Sequence, residues 1–489
     1  MSRVSPKRGV SQKRRSILTF SLGVLSGWGL PWSMRAHASS DVPLIWDAIV
    51  VGSGLSGVSA ALSALESGLR TVLLIEKAPV VGGHSFYSTG TIMVVPEANT
   101  IEQNRLWEDA RRVGGDGANE TLIRKIGRES ESALTWLESM GVEFSEGVFQ
   151  SLGGLSPRSR MAKASQAGYA YTKAIYEHAL AKGLTVKLNT ALTELTLAQT
   201  PAGEVWTVDI TEKGIPTTLY SYSVILATGG FTANAELLRQ QRPDLPEGMR
   251  TTANPQGLYY DGATGDGILI AQKLGAALKD MSHIQLMPLW GGRVLDYVGG
   301  DIFLDHQGKR FVNEGASWAT LEKALLALPE QTMWVVTDAQ STKGINLGMK
   351  LADGTVKKSD SIAEMARGMG LDRQVLEATL ATYNAGAREG RDPQFGKETI
   401  TQTIDKPPFY WGKERLYIHT TLGGIVINER TEVMSVQGRP LTGLYAVGET
   451  VGGVFGNNRL GGIAITAAIV LGREAGRQVA HRRQRMTTP

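Results

Sequence analysis

The run Gly52-Ser53-Gly54-Leu55-Ser56-Gly57 follows the apolar stretch Ala48-Ile49-Val50-Val51, and Glu76 closes the next apolar stretch, Val72-Leu73-Leu74-Ile75. A strand, a glycine turn, a helix, a second strand and a terminal acid within ~30 residues make the β-α-β unit of a dinucleotide site. Each residue type has a physical task. Gly52 permits the tight turn, Gly54 lets a pyrophosphate reach the backbone, and Gly57 lets the helix pack closely on the strand. The helix N-terminus offers unpaired N–H groups and a positive dipole end to phosphate. Glu76 can accept hydrogen bonds from ribose hydroxyls. The competing reading is a glycine-rich turn with no ligand; the strand before it and the helix after it weigh against that.

The chain of 489 residues is long enough for two or three domains and a large core. Its 42% hydrophobic and 20% charged residues describe an ordinary globular protein. The net charge is only +4, with basic residues gathered at the two ends, and no aromatic-interleaved basic stripe points to nucleic acid. The run Arg482-Arg483-Gln484-Arg485 reads as a solvated basic tail over 482–489. Cysteine is absent, which excludes disulfides, thiolate-ligated iron–sulfur clusters and c-type haem attachment. Electrons must therefore use an organic cofactor and an external partner. No metal site is expected.

Lys13-Arg14-Arg15-Ser16-Ile17-Leu18 resembles a twin-arginine signal, followed by a modestly apolar stretch and a small-x-small site at Ala36-His37-Ala38. Residues 1–38 read as a signal peptide of a periplasmic protein that folds with its cofactor before export. No other segment is apolar enough for a membrane span.

Along the chain, helices are expected over Thr121–Met140 and Gly168–Lys182. Strands are expected at Val186–Leu188 and Trp206–Ile210, flanking a turn at Pro201–Gly203. Ser223–Gly230 reads as a buried strand leaving a parallel sheet beside a ligand. Ala263-Thr264-Gly265-Asp266-Gly267 opens a helix to about Leu278. The composition then shifts, and 282–419 reads as an inserted domain with a helix over Asp372–Arg388. Thr421–Ile427 and Gly443–Glu449 are expected as strands returning to the first domain, and Gly461-Gly462 opens a final helix through Ala480. The domains are thus 44–281 and 420–481 for the cofactor, with 282–419 inserted.

These blocks together resemble the fumarate reductase/succinate dehydrogenase flavoprotein family, the soluble flavocytochrome c fumarate reductases in particular, without their haem domain. The matching blocks are 51–57, Glu76-Lys77, Ala227-Thr228-Gly229-Gly230-Phe231, 263–267, Gly308-Lys309-Arg310-Phe311-Val312-Asn313-Glu314, His419-Thr420-Thr421-Leu422-Gly423-Gly424, Gly448-Glu449 and Asn458-Arg459-Leu460-Gly461-Gly462. The resemblance implies an α/β fold: a Rossmann-like FAD-binding domain of glutathione-reductase type with an inserted α+β capping domain. It implies bound FAD and hydride transfer between flavin N5 and a CH–CH or C=C bond next to a carboxylate or carbonyl. Beyond Gly52, Ser53, Gly54, Ser56, Gly57, Glu76 and Lys77, the FAD-binding residues it implies are Gly83, His84, Ser85, Gly90, Thr91, Ala191, Ala227, Thr228, Gly229 and Asp266. Gly448, Glu449, Gly462, Ala464 and Ile465 complete the set.

The resemblance assigns Arg459 to clamp the substrate carboxylate and His419 to hydrogen-bond the same end. Two other family residues are replaced. Met287 stands for the histidine of a His-Pro-Thr stretch, and Trp318 for the proton-donating arginine after the Arg-Phe-Val-Asn-Glu block. Indole is neither acid nor base near neutral pH. Met287, Trp290 and Trp318 would make the other end of the site apolar. A dicarboxylate such as fumarate would then leave a charge unpaired, so a monocarboxylate with an apolar or aromatic tail, or a ring carbonyl, is expected instead. Tyr259, Tyr260, Arg293 and Glu322 are candidates for moving the proton, with none preferred. His84 occupies the position where succinate dehydrogenases bond covalently to flavin; the alternative is a hydrogen bond to flavin or pyrophosphate. The competing functions are an oxidase of the same fold passing electrons to oxygen, and a non-catalytic flavin-binding electron-transfer protein. A dehydrogenase or reductase would need an external electron carrier, a periplasmic cytochrome c or a quinone-linked protein.

Overall fold

The structure is a computed structural model that describes residues 44–164, 167–200, 203–258, 260–344 and 346–487. The proposed signal segment and Tyr259 lie outside the described residues. Three short, wholly buried apolar runs, Ala48–Val51, Val72–Ile75 and Val224–Leu226, form the middle of the central sheet, as a sheet covered on both faces requires. Its order is Glu432–Met434, Pro440–Ala446, Val224–Leu226, Ala48–Val51, Val72–Ile75, Thr185–Lys187. All neighbours run parallel except Glu432–Met434, which pairs antiparallel with Pro440–Ala446. The chain leaves Ala48–Val51 toward Val72–Ile75 on one side and later returns to Val224–Leu226 on the other. That reversal is the topological switch point, where open α/β sheets bind ligands beyond the strands' C-terminal ends.

Helix Leu55–Glu66 packs on the strands flanking this crevice and on the long final helix, Ile463–Thr487. The seam is built of small residues. A Cβ on Gly472 would come within 2.6 Å of Ser56 O, and one on Gly476 within 2.5 Å of Ala60 O. The final helix does not stop at Ala480, and the expected basic tail is helical through Thr487. Arg483 reaches Asp47 at 2.7 Å and lies over the Tyr222 ring, while Arg482 reaches Glu204 at 3.5 Å. These partners are remote in sequence, which is why a local charge reading missed them.

Other expectations shift. The helix opening at Asp266 ends at Lys273 rather than near Leu278, because Gly275 turns the chain at φ +83° and Leu278–Lys279 becomes a strand. An eleven-residue strand, Thr190–Thr200, precedes Gly203–Glu212 in a separate four-stranded sheet. Its in–out alternation breaks at a register shift between Leu192 and Glu194, which hid it from periodicity. The expected strand Thr421–Ile427 divides into Tyr417–Thr421, paired with Ile284–Met287, and Gly424–Val426.

Over the crevice lies an α+β layer. Four antiparallel strands, Asp301–Leu304, Thr332–Thr337, Phe409–Arg415 and Lys357–Ser359, pack against helices Ile362–Met369 and Arg373–Arg388. Ile302, Val336, Met365, Leu376, Leu380 and Trp411 make its own core. Among the described residues, no helix is long and apolar enough to cross a membrane.

Candidate active site

The glycines of the first turn divide their work. Gly52 sits at φ +106°, and a Cβ there would lie 2.3 Å from Ala227 O; one on Gly57 would lie 2.0 Å from Gly52 O. These two close the helix and the two switch-point strands against each other. Gly54 differs, since the nearest atom to its Cβ position is Ser85 Oγ at 3.6 Å. It begins the helix without a side-chain cap of its own; Leu55 N donates to Ser85 Oγ at 2.9 Å, and the following first-turn amides are left for an anion. Glu76 braces the turn: Oε2 accepts from Ser53 N at 2.9 Å and Ser53 Oγ at 2.7 Å, and Oε1 accepts from Ala78 N at 2.8 Å. Carboxylate oxygens hold further lone pairs for ribose hydroxyls.

A single cavity runs from this turn along the crevice. Every residue expected to hold FAD lines it except Gly57 and Gly90. Gly57 supplies helix packing, as its place in the motif implies. Gly90 lies outside the lining: a Cβ there would meet Gly168 N at 2.4 Å, so its missing side chain serves close approach to helix Ala167–Ala181. Lys77 Nζ donates to Asp266 Oδ2 and Thr264 Oγ1, both at 2.6 Å, and ties the second strand's end to the 264–266 turn. The start of the final helix, after Gly462 at φ +83°, brings Ala464 and Ile465 to the cavity. Two helix N-termini, an open glycine and an acid at the second strand fit an adenine dinucleotide.

His84 lies in this part of the cavity with Nε2 2.7 Å from Asp261 Oδ1. Burial opposes the charged ring, but the bond to Asp261 and the charge of Glu449 outweigh it and hold the pKa above 6.5.

Farther along, the cavity brings together His419, Arg459, Met287, Trp290 and Trp318. Strand Ile284–Met287 pairs with Tyr417–Thr421, and the register slips so that Gln285 faces Thr420 while Leu286 faces Ile418. His419 falls in that irregularity, a device that re-aims a side chain. Its Nδ1 lies 2.8 Å from Thr252 Oγ1. Burial first, then the charges of Arg459 and His84, hold its pKa well below 6.5, so the ring is neutral.

Arg459 is 7% exposed and forms no ion pair among the described residues. Nη1 donates to Leu460 O at 3.2 Å, and Nε has no partner. Burial brings its pKa down to about 10, opposed in part by the charge of Glu449. Gln285 fixes the loop, donating to Asn458 Oδ1 and to Arg459 O.

Trp318 begins helix Trp318–Leu326, with Ser317 as its cap. Its indole edge rests on Gly153, where a Cβ would lie 2.2 Å from Nε1, and that N–H is buried without a partner. The preceding Arg310–Glu314 block is an ion cluster: Arg310 pairs with Glu314 and Asp392, each at 2.8 Å, and Lys397 approaches Glu314 at 3.3 Å. It anchors the approach to Trp318.

Of the proton candidates, Tyr260 is 66% exposed, and Glu322 pairs with Arg242 at 3.8 Å; neither lines the cavity. Arg293 lines it but is tied to Asp301 at 3.0 Å. Sequence reasoning missed Thr252, Asp261, Asp296 and Lys350, all brought to the site by tertiary contacts. Nothing local marks them.

Residues 47–465 match the model of an FAD binding domain family. Over 450 residues the chain is 31% identical to a fumarate reductase (cytochrome) of Shewanella frigidimarina, covering 89% of this chain and 77% of that protein. It is 30% identical over 456 residues to an NADH:fumarate oxidoreductase of Klebsiella pneumoniae, covering 90% of this chain but spanning about half (48%) of that relative. A solved flavocytochrome c3 fumarate reductase in an open conformation superposes with a TM-score of 0.67 at 28% identity, covering 94% of this chain and 82% of that one.

Proposed function

This chain belongs to the FAD-binding family of oxidoreductases that includes the fumarate reductase flavoproteins, and we propose that it reduces or forms a C=C bond conjugated to a carboxylate or carbonyl, with fumarate not its physiological substrate. The observation that carries this reading is Arg459, a buried guanidinium with an orphaned Nε and no ion-pair partner among the described residues, opening on the cavity that the dinucleotide turn also lines. A buried charge without a partner is costly; a ligand carboxylate would supply the missing one. Bound FAD supplies a hydride acceptor or donor at N5.

The chain's own residues do the rest. Arg459 binds the carboxylate through charge-assisted hydrogen bonds and stabilises negative charge as it builds there. A Thr252 hydroxyl donating to Nδ1 leaves the neutral His419 ring its proton on Nε2, as a second donor. Trp318 offers an unpaired N–H and excludes water, but no proton. Met287, Trp290 and Trp318 favour an apolar or aromatic tail over a second carboxylate.

The twin-arginine segment supports export to the periplasm, and the absence of cysteine supports reliance on an external electron carrier, a cytochrome c or a quinone-linked protein.

The test is anaerobic reduction of the FAD-loaded protein, followed by a panel of enoates. Reoxidation by an enoate, with fumarate slow, is expected. Rapid reoxidation by oxygen with peroxide release would establish an oxidase instead. No response to any enoate or saturated acid would leave a flavin-binding electron-transfer protein.

A further inference from the structure

We infer that Asp296 forms the far end of the substrate cavity and selects carboxylic acids whose tail carries an N–H donor, such as an ammonium group or an azole ring. This deepens the proposed function and rests on it, because Arg459 is taken as the carboxylate anchor.

The cavity that holds Met287 and Trp318 is also lined by Leu289, Trp290 and residues 293–296, and by Gly344, Leu347 and Lys350. Its wall is held from behind. Lys350 Nζ donates to the carbonyls of Leu289 (3.2 Å), Gly291 (2.9 Å) and Arg293 (2.7 Å). The buried Glu414 accepts from Gly291 N and Arg293 N. Gly344 N donates to Val294 O at 2.7 Å and pins the two segments together. A wall clamped in this way is a preorganised surface.

Arg293 and Lys350 act on the carboxyl groups around this wall, those of Asp296, Asp301 and Glu414, with Lys397 also beside Asp301 and Asp353 beside Lys350. Asp301 takes Arg293 at 3.0 Å, and Glu414 takes backbone amides. Asp296 is left over: among the described residues no hydrogen bond or ion pair reaches its carboxylate, although it lines the cavity. Its Oδ2 sits over Gly344, where a Cβ would lie 2.5 Å away. Burial pushes its pKa up against the pull of Arg293 and Lys350. A half-buried acid without a protein partner gains most from a ligand donor.

The two ends of the cavity thus ask for opposite things: an anion at Arg459 and His419, and a donor at Asp296, with Trp290 and Leu347 as apolar walls along the way. A dicarboxylate would turn its second anion toward Asp296, and like charges reject it.

Binding of oxidised substrate analogues to FAD-loaded protein, read from the flavin absorbance change, tests this without turnover. Two matched pairs serve as probes: 3-(imidazol-4-yl)acrylate against cinnamate, and 4-aminobut-2-enoate against pent-2-enoate. In at least one pair, the N–H member is expected to bind about 100-fold tighter, because a site built for a donor rejects the analogue lacking it. Asp296→Asn, which removes the charge, and Asp296→Leu, which removes the acceptor, should erase most of that preference and leave the apolar members within about threefold. Gly344→Ala should do the same by displacing the carboxylate. Apolar members that tie or win in the wild type, or variants that weaken both members alike, would overturn the subsite alone. No binding of any of these acids to FAD-loaded wild type would overturn the proposed function and the subsite with it.

Discussion

Replacing Arg459 by methionine should move stability and ligand affinity in opposite directions. Burial holds the guanidinium pKa at about 10, well below its ordinary value. At about 1.4 kcal/mol per tenfold change in proton affinity, keeping it charged at neutral pH costs the folded state on the order of 3 kcal/mol. Because the folded pKa lies below the unfolded one, this cost is fully present below pH 10 and fades as pH rises from there toward the unfolded value. Methionine removes the charge and fills much of the volume, but loses the bond to Leu460 O, worth about 1 kcal/mol. The net gain is about 2 kcal/mol. At ~2 cal/mol/K of unfolding entropy per residue, a chain of 489 residues converts that to a Tm rise of roughly 2 °C. Carboxylate binding should fall by on the order of 2–5 kcal/mol, roughly 30- to several-thousandfold in affinity. Scanning calorimetry and flavin-perturbation titration of the FAD-loaded variant, at neutral pH, measure both. A Tm lowered by several degrees would show that Arg459 holds the fold together rather than awaiting a ligand, and the anchor argument would fail.

Gly54→Val should leave the Tm nearly unchanged yet sharply weaken FAD retention, because its Cβ position meets nothing closer than 3.6 Å; Gly52→Ala should lower both, since its φ of +106° and the Ala227 carbonyl admit no Cβ. Acid denaturation should release all the flavin, because His84 Nε2 is engaged by Asp261 at 2.7 Å and that pairing favours the charged, non-nucleophilic ring; flavin remaining with the pellet would refute this. His84 has a raised folded pKa, so its pair with Asp261 stabilises fully below pH 6.5 and is lost as pH rises through the folded value. The Tm deficit of Asp261→Asn should therefore be largest at acidic pH and shrink on the alkaline side. Lys350→Met alone should cost about 3–5 kcal/mol by stranding the buried Glu414, with part recovered in the double variant Lys350→Met, Glu414→Gln, as read by denaturant unfolding.

The β-α-β unit was legible in the sequence because its physics is short-range. Apolar runs of four residues must be buried strands, and a glycine turn between them and a helix admits few conformations. The absence of cysteine restricted the electron chemistry for the same kind of reason, since it depends on residue type alone. Tertiary structure decided the rest. It set Gly90 against the helix that Ala167 begins, and it extended the final helix because Asp47, more than four hundred positions earlier in the chain, holds Arg483. It placed His419 through a slip in strand register that no periodicity announces, and it left Asp296 without a partner in the cavity that also holds a guanidinium with no ion pair among the described residues. Motifs report what neighbours along the chain can do. Whether a buried charge is paired depends on which distant residues the fold brings beside it, and that is settled only when the layers close.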